Sequence, residues 1–203
     1  MNLIARLQAY YNSIAASQPD SRAPIVKPLP PADPTLSPTA ELLHTAILAC
    51  TPATFRPSAH VPGLEFTVLS DQSTIAEIQE GLNANALGFD PAAALATEAE
   101  ALAFRAELIA SRAFTAKLGG RPVGAGMFTP PIEGIAELAG ITTLAPYRGR
   151  GIGAAVTSEI AQVAFAHGVG TAILRTDNPV AFRVYQRIGF RPVASLEEQR
   201  SDE

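Results

Sequence analysis

The sequence feature that most constrains the fold is the stretch from Gly140 to Gly153, which reads GITTLAPYRGRGIG. An apolar run typical of a β-strand ends at a proline turn and leads into alternating glycines. Apolar residues then recur at Ile152, Val156 and Ile160, which is the spacing of an α-helix. The stretch therefore predicts a strand, a glycine loop and the first turn of a helix.

A loop of this kind favours the binding of an anion. Glycines allow positive φ angles and a close approach of the backbone to a ligand. The first turn of a helix has free N–H groups and partial positive charge, which together attract a phosphate or pyrophosphate. Arg148 and Arg150 would add charge-assisted contacts. The alternative is a glycine-rich turn that carries two surface arginines and no ligand.

The order of the glycines narrows the choice of ligand. Gly149, Gly151 and Gly153 form G-x-G-x-G, which is neither the G-x-G-x-x-G of dinucleotide-binding loops nor a P-loop with its lysine. Residues 148–153 resemble the acetyl-CoA signature of the GNAT acyltransferase superfamily, (Arg or Gln)-x-x-G-x-(Gly or Ala). Residues 178–190 are similar to a second GNAT segment, N-x-x-A-x-x-x-Y-x-x-x-G-F.

This resemblance implies a GNAT-type N-acetyltransferase that moves an acetyl group from acetyl-CoA to an amine of a small molecule or peptide. The transfer would be direct, through a tetrahedral intermediate, and no metal is implied. An alternative of a different class is a catalytically inactive CoA-binding sensor or interaction module. The implied cofactor-binding residues are Ile141, Thr142, Thr143, Arg148, Gly149, Arg150, Gly151, Ile152, Gly153, Ala154 and Asn178.

Tyr185 and Glu137 are the candidate catalytic residues. Tyr185 lies two helical turns after Asn178, where its phenol could protonate a departing thiolate, or simply pack a helix on the sheet. Glu137 lies on an apolar strand, where a carboxylate is costly unless it has a partner or a task. Burial would raise its pKa, so Glu137 is the candidate general base, and a solvated strand-end residue is the alternative. Asn178 can equally be an ordinary helix N-cap.

The rest of the pattern predicts an α/β (α+β) fold, the GNAT acyl-CoA N-acyltransferase fold, with a mixed, mostly antiparallel sheet flanked by helices. A strand over residues 64–69 precedes a helix that begins at the capping box of Thr74 and Glu77. A second helix is expected to begin at Asp90, with a proline at its first position. A hairpin follows, and the complete order from this first strand is β-α-α-β-β-β-α-β-α-β.

Residues 1–60 are expected to be an N-terminal helical and proline-rich extension, and residues 61–203 the acetyltransferase domain. An amphipathic helix is predicted over residues 2–16, to dock on the domain or on a second subunit of a homodimer. Seven prolines over residues 19–38 predict an extended connector. A short helix is expected from Thr39 to about Leu48.

Composition excludes several classes of function. A net charge of −4 and only two lysines, Lys27 and Lys117, argue against a nucleic-acid-binding protein. No apolar run approaches the roughly 18 residues of a membrane span. The single cysteine, Cys50, suits a reducing compartment, so a cytoplasmic protein with no membrane partner is expected.

Overall fold

The computed structural model describes residues 2–18, 21–29 and 46–197. The helices are α1 Leu3–Ala16, α2 Ile75–Phe89, α3 Glu98–Glu107, α4 Ile152–Ala166 and α5 Pro179–Ile188, with a 3-10 turn at Ala145–Tyr147. The strands are β1 Ile25–Pro28, β2 Ala46–Cys50, β3 Leu64–Leu69, β4 Arg112–Leu118, β5 Arg121–Phe128, β6 Ile135–Thr143, β7 Thr171–Leu174 and β8 Arg191–Glu197. From β3 onward, the order of elements is the one that the sequence predicts.

In the described part of the chain, eight strands form one sheet in the order β1-β8-β2-β7-β6-β5-β4-β3. Neighbouring strands are antiparallel except for β6 and β7, which run parallel. The prediction of a mixed, mostly antiparallel sheet flanked by helices is therefore confirmed.

Helices cover both faces of this sheet. Along β2, Leu48 packs in the hydrophobic cluster under α4 and α5, whereas the preceding residue, Ile47, packs in the cluster under α1. Along β4, Phe114 faces α4, and Ala113 faces α2 and α3. One face therefore carries α4 and α5, and the other carries α1, α2 and α3. The amphipathic α1 packs on the sheet of its own chain, with Tyr10 fully buried.

The short helix expected from Thr39 to about Leu48 is wrong over its last three residues, because residues 46–50 form β2. Residues 39–45 lie outside the described residues. All five side chains of β2 are buried, since both faces of the strand are covered. A strand that is buried on both faces has no alternation of apolar and polar residues. The spacing of its apolar residues therefore cannot distinguish it from a buried helix.

The other N-terminal strand, β1, lies at the edge of the sheet and ends at Pro28. An edge strand can tolerate proline, because on its outer side the backbone forms no hydrogen bonds to a neighbouring strand. The connector predicted over residues 19–38 therefore includes a short strand, and residues 19–20 and 30–38 of it lie outside the described part.

The helix expected to begin at Asp90 begins instead at Thr97. Thr97 accepts from the backbone of Glu100, and the Glu100 carboxylate accepts from the backbone of Thr97, which completes a capping box. Asp90 ends α2 and uses its side chain to accept from the N–H of Ala92 in a turn. A reciprocal capping box satisfies two free N–H groups, which outweighs a lone Asp-Pro start.

Candidate functional site

A groove that is the candidate functional site opens where β6 and β7 separate. Their parallel pairing runs from Ile135 with Thr171 to Glu137 with Ile173 and then stops, although β6 continues to Thr143. The space between the end of β6 and helix α5 is a groove of about 540 Å³. This volume lies within the range of roughly 300–1,000 Å³ that is usual for ligand sites.

A bulge in β6 sets the direction of the strand at this opening. Met127 pairs with Ala139 and Ala125 pairs with Thr142, so one residue of β5 faces two residues of β6. Gly140 lies in the bulge with a φ of 61°, and its carbonyl accepts a hydrogen bond from the Asn85 side chain at 2.5 Å. A glycine inside a strand signals such a bulge, and the bulge bends the strand away from its neighbour.

The glycine loop closes one end of the groove. Gly149 and Gly151 have φ angles of 77° and 81°, a region that residues with a side chain rarely adopt. Gly151 is the N-cap of α4 and contributes no side chain to cap the helix. The first turn of α4 therefore presents its free N–H groups to the groove, with the positive end of the helix dipole behind them.

The two loop arginines contact the protein itself. The Arg148 guanidinium donates to the carbonyl oxygens of Thr143 and Gly88, at 3.0 and 2.8 Å. Arg150 donates to the Pro146 carbonyl at 3.3 Å and stacks over a tyrosine ring. Arg148 lines the groove, and Arg150 does not.

Helix α5 forms the opposite wall of the groove. Asn178 caps this helix by accepting from the N–H groups of Val180 and Ala181. Tyr185 is 7% exposed and packs against Phe190, with ring centroids 6.2 Å apart. Burial raises the pKa of the Tyr185 phenol to about 12, because the charged phenolate would lose its hydration.

Glu137 is the last residue of β6 that pairs with β7. It lies on the face of the sheet that carries α1, and it does not line the groove. Its carboxylate is 3.6 Å from the Arg175 guanidinium, just beyond the end of β7. Burial raises the pKa of Glu137, and the positive charge of Arg175 opposes that rise. Tyr185 and Glu137 therefore approach the opening between β6 and β7 from opposite faces of the sheet.

The structure thus brings together most of the residues that the sequence singles out. Every predicted cofactor-binding residue except Arg150 lines the groove, and so does Tyr185. Seven further lining residues were missed. Three of them lie outside the two motifs and four lie within residues 178–190: Gly88, Phe89, Tyr147, Val180, Ala181, Val184 and Arg187. Helical spacing gave no signal for Arg187, since a residue two positions after Tyr185 is expected on the other side of the helix.

Neither a metal site nor a membrane span is visible in the residues described. Over residues 2–18, 21–29 and 46–197, no three His, Cys, Asp or Glu side chains cluster as metal ligands would. Within the same ranges, each helix is too short or too polar to cross a bilayer.

Comparison of the chain with known proteins points to one family. Residues 79–190, more than half of the chain, match the sequence profile of the acetyltransferase (GNAT) family. The chain is also similar to a solved GCN5-related N-acetyltransferase from Kribbella flavida, with 25% identity and a TM-score of 0.59. That match covers 75% of this chain and 56% of the other. No curated protein sequence matches the chain.

Two further solved structures show the fold alone. A GCN5-related N-acetyltransferase from Sphaerobacter thermophilus has 20% identity and a TM-score of 0.55, over 75% of this chain and 49% of that one. An aminoglycoside acetyltransferase from a soil metagenomic sample, in complex with sisomicin, has 12% identity and a TM-score of 0.51, over 62% and 87%. The chain spans about half the length of the Kribbella and Sphaerobacter proteins.

Proposed function

Because the chain belongs to the GNAT acetyltransferase family, we propose that it transfers an acetyl group from acetyl-CoA to an amine. One observation carries the proposal: the glycine loop and the segment with Asn178 and Tyr185, far apart in sequence, line a single groove. An anion site at one end and a buried proton donor in its wall are what an acetyl-CoA-dependent transferase requires.

The groove suits coenzyme A. The free N–H groups of residues 152–154 would hold the pyrophosphate, as they face the groove without a side-chain cap. Arg187 supplies positive charge in the same wall, whereas Arg148 is already bound to two carbonyls. Among the described residues, no strand pairs with residues 141–143 on the β7 side, so their backbone can bond the amides of the pantetheine arm. Acetyl-CoA would supply the activated acyl group.

Two side chains of the chain would handle protons. The raised pKa of Tyr185 keeps its hydroxyl protonated at neutral pH, so that it can give a proton to the departing sulfur. The raised pKa of Glu137 makes its carboxylate a better base for the incoming ammonium. A base on one face and an acid on the other would act at the same opening in the sheet.

The test is calorimetric titration of acetyl-CoA into the wild-type protein and two glycine variants. Gly151→Ala and Gly168→Ala both put a side chain on a residue with positive φ, at opposite ends of α4. Gly168 lies outside the groove and has open space around it. We expect Gly151→Ala to weaken binding at least about tenfold, or about 1.4 kcal/mol, and Gly168→Ala to leave it unchanged.

A thiol-release assay with acetyl-CoA and a panel of amines then separates the enzyme from a CoA-binding sensor. Amine-dependent release of thiol supports the transferase. Tight binding of acetyl-CoA without release by any amine would replace it with the sensor. Failure of the folded wild-type protein to bind acetyl-CoA would overturn both.

A further inference from the structure

A second, smaller cavity lies beside the groove, between the sheet and helices α2 and α3. Its volume is about 80 Å³, enough for about six water-sized spheres. Along α2, the cavity is lined by Leu82 and Asn85, and the groove by the next turn, which ends at Phe89. Along β6, Gly140 lines the cavity and Ile141 lines the groove. The cavity therefore lies next to the groove, one residue away along β6 and one turn away along α2.

The lining of this cavity is apolar. Among the described residues that form it, none has an ionisable side chain, and Asn85 has the only polar one. The amide group of Asn85 already donates to the Gly140 carbonyl. Burying a charged or hydroxyl-rich group here would leave that group without partners, which is costly. The large residues of the α2 and α3 side that line the cavity are Leu69, Leu82, Phe104 and Met127.

The Glu137 carboxylate lies on the same face of the sheet as the cavity. Met127 faces α2 and α3, and it pairs with Ala139, two residues after Glu137 on β6. Glu137 and Met127 both point away from the cluster under α4, so they share a face. An amine with an apolar group at one end could place its nitrogen towards Glu137 and its apolar end in the cavity.

The geometry points to an acceptor that is a monoamine with an apolar group of about six heavy atoms, such as a phenyl ring or a branched alkyl chain. This inference rests on the proposed function and names its substrate class. The reaction forms a C–N bond to the amine and breaks the C–S bond of the thioester. The coenzyme leaves as the free thiol, and the surplus proton of the ammonium goes to Glu137 and then to solvent.

The experiment compares amines of matched reactivity with the wild-type full chain and acetyl-CoA. Benzylamine and 3-methylbutylamine represent the apolar class, and ethanolamine and 1,4-diaminobutane represent the polar and dicationic classes. We expect kcat/KM to be at least about tenfold higher for the apolar pair, as is usual when a group fills an apolar pocket. Equal or faster turnover of the polar pair would overturn the inference and leave the proposed function intact.

Two variants of the cavity test the assignment in opposite directions. Leu82→Trp fills the cavity and should raise KM for benzylamine about tenfold, without changing the affinity for acetyl-CoA. Phe104→Ala enlarges the cavity and should shift preference from benzylamine towards 2-naphthylmethylamine. Leu102→Ala, on the exposed side of the same helix and outside the cavity, is the matched control and should leave preference unchanged. Unaltered preference in Phe104→Ala would overturn the inference.

A direct measurement separates this inference from the proposed function. Benzylamine is titrated into the ¹⁵N-labelled protein, and the backbone amide shifts of Leu82, Asn85 and Phe104 are followed. Saturable shifts at these amides support the cavity as the binding site, whether or not acetyl-CoA binds. Shifts that are absent, or confined to other parts of the protein, would overturn it.

Discussion

Arg148, in the glycine loop, donates a hydrogen bond from its Nη2 to the carbonyl oxygen of Gly88 at 2.8 Å. Gly88 lies in the last turn of α2, where carbonyl groups lack partners within the helix. The Nε of the same guanidinium donates to Thr143, the last residue of β6, at 3.0 Å. Arg148 therefore joins the loop, the end of a helix and the end of a strand.

Replacing Arg148 by lysine should loosen this junction. A single ammonium group lacks the fixed fork of a guanidinium and cannot keep both hydrogen bonds. The side chain is exposed, so we expect the free energy of unfolding to fall by only about 1 kcal/mol. Urea denaturation measures this, and Arg150→Lys, which loses one long contact to Pro146, is the control. An equal fall in the free energy of unfolding of both variants would show that the two hydrogen bonds of Arg148 add no stability beyond that of the single contact of Arg150.

Gly88 should tolerate no side chain. A Cβ at this position would overlap the side chain of Thr142 on β6, with its Cγ2 only 2.6 Å away. Overpacking of this kind costs about 1–3 kcal/mol, so Gly88→Ala should lower the midpoint of thermal unfolding. Thr142→Ala in the same chain should recover part of the loss. If the double variant is no more stable than Gly88→Ala, the overlap is not the cause.

Tyr185→Phe should separate catalysis from binding. The ring remains packed against Phe190, so stability and the affinity for acetyl-CoA should change little. Loss of the proton donor should lower kcat about a hundredfold or more. Because burial raises the pKa of Tyr185 to about 12, the wild-type rate should show no loss from ionisation of this phenol below about pH 10. Steady-state kinetics and calorimetry check both statements, and an unchanged kcat would remove Tyr185 from the mechanism.

The acid side of the pH–rate profile should report Glu137. Its pKa is raised by burial and held back by Arg175, so kcat/KM should rise as the carboxylate forms, with a midpoint above 4.5. Arg175→Gln removes the opposing charge and should move that midpoint to higher pH. Arg183→Gln, on the exposed side of α5 and outside the groove, is the charge-matched control. A profile that does not move in Arg175→Gln would argue against Glu137 as the base.

The same ionisation should appear in stability. Because the pKa of Glu137 is raised on folding, the stability linked to its proton is fully present below the unfolded value near 4.5 and is lost as the pH rises through the folded value. Glu137→Gln cannot lose that proton. The free energy of unfolding of the variant should therefore increase relative to that of the wild type between pH 4 and pH 8, because the wild type alone loses stability over this range. A difference that stays constant over this range would contradict the raised pKa.

Local signals carried much of the prediction from sequence. The capping box of Thr74 and Glu77, the glycine loop and the N-cap at Asn178 depend on neighbours in the chain, and all three form as expected. Asp90 failed because a stronger local signal at Thr97 competed with it. In each case the deciding hydrogen bonds lie within a few residues, which is the range that sequence patterns can show.

Long-range relationships were beyond those patterns. The strand β2 has no alternation because both of its faces are buried, and burial of both faces is a property of the whole sheet. The contact between Glu137 and Arg175 depends on the parallel pairing of two strands. Likewise, the cavity beside Asn85 exists only once α2 lies over β6. These features follow from packing, which a single sequence does not display.

The position of β2 in the sheet also governs how the chain can fold. Leu48 pairs with both Leu174 of β7 and Pro192 of β8, so the third strand of the sheet, counted from one edge, comes from near the beginning of the chain and its neighbours from near the end. Long-range pairings of this kind form slowly, because most of the chain must be closed into a loop first. Until β2 pairs with them, β7 and β8 each have an edge of unpaired backbone N–H and C=O groups that could bind another strand. A growing chain therefore passes through an interval, before β2 has paired with β7 and β8, in which a strand from another molecule could pair with them instead.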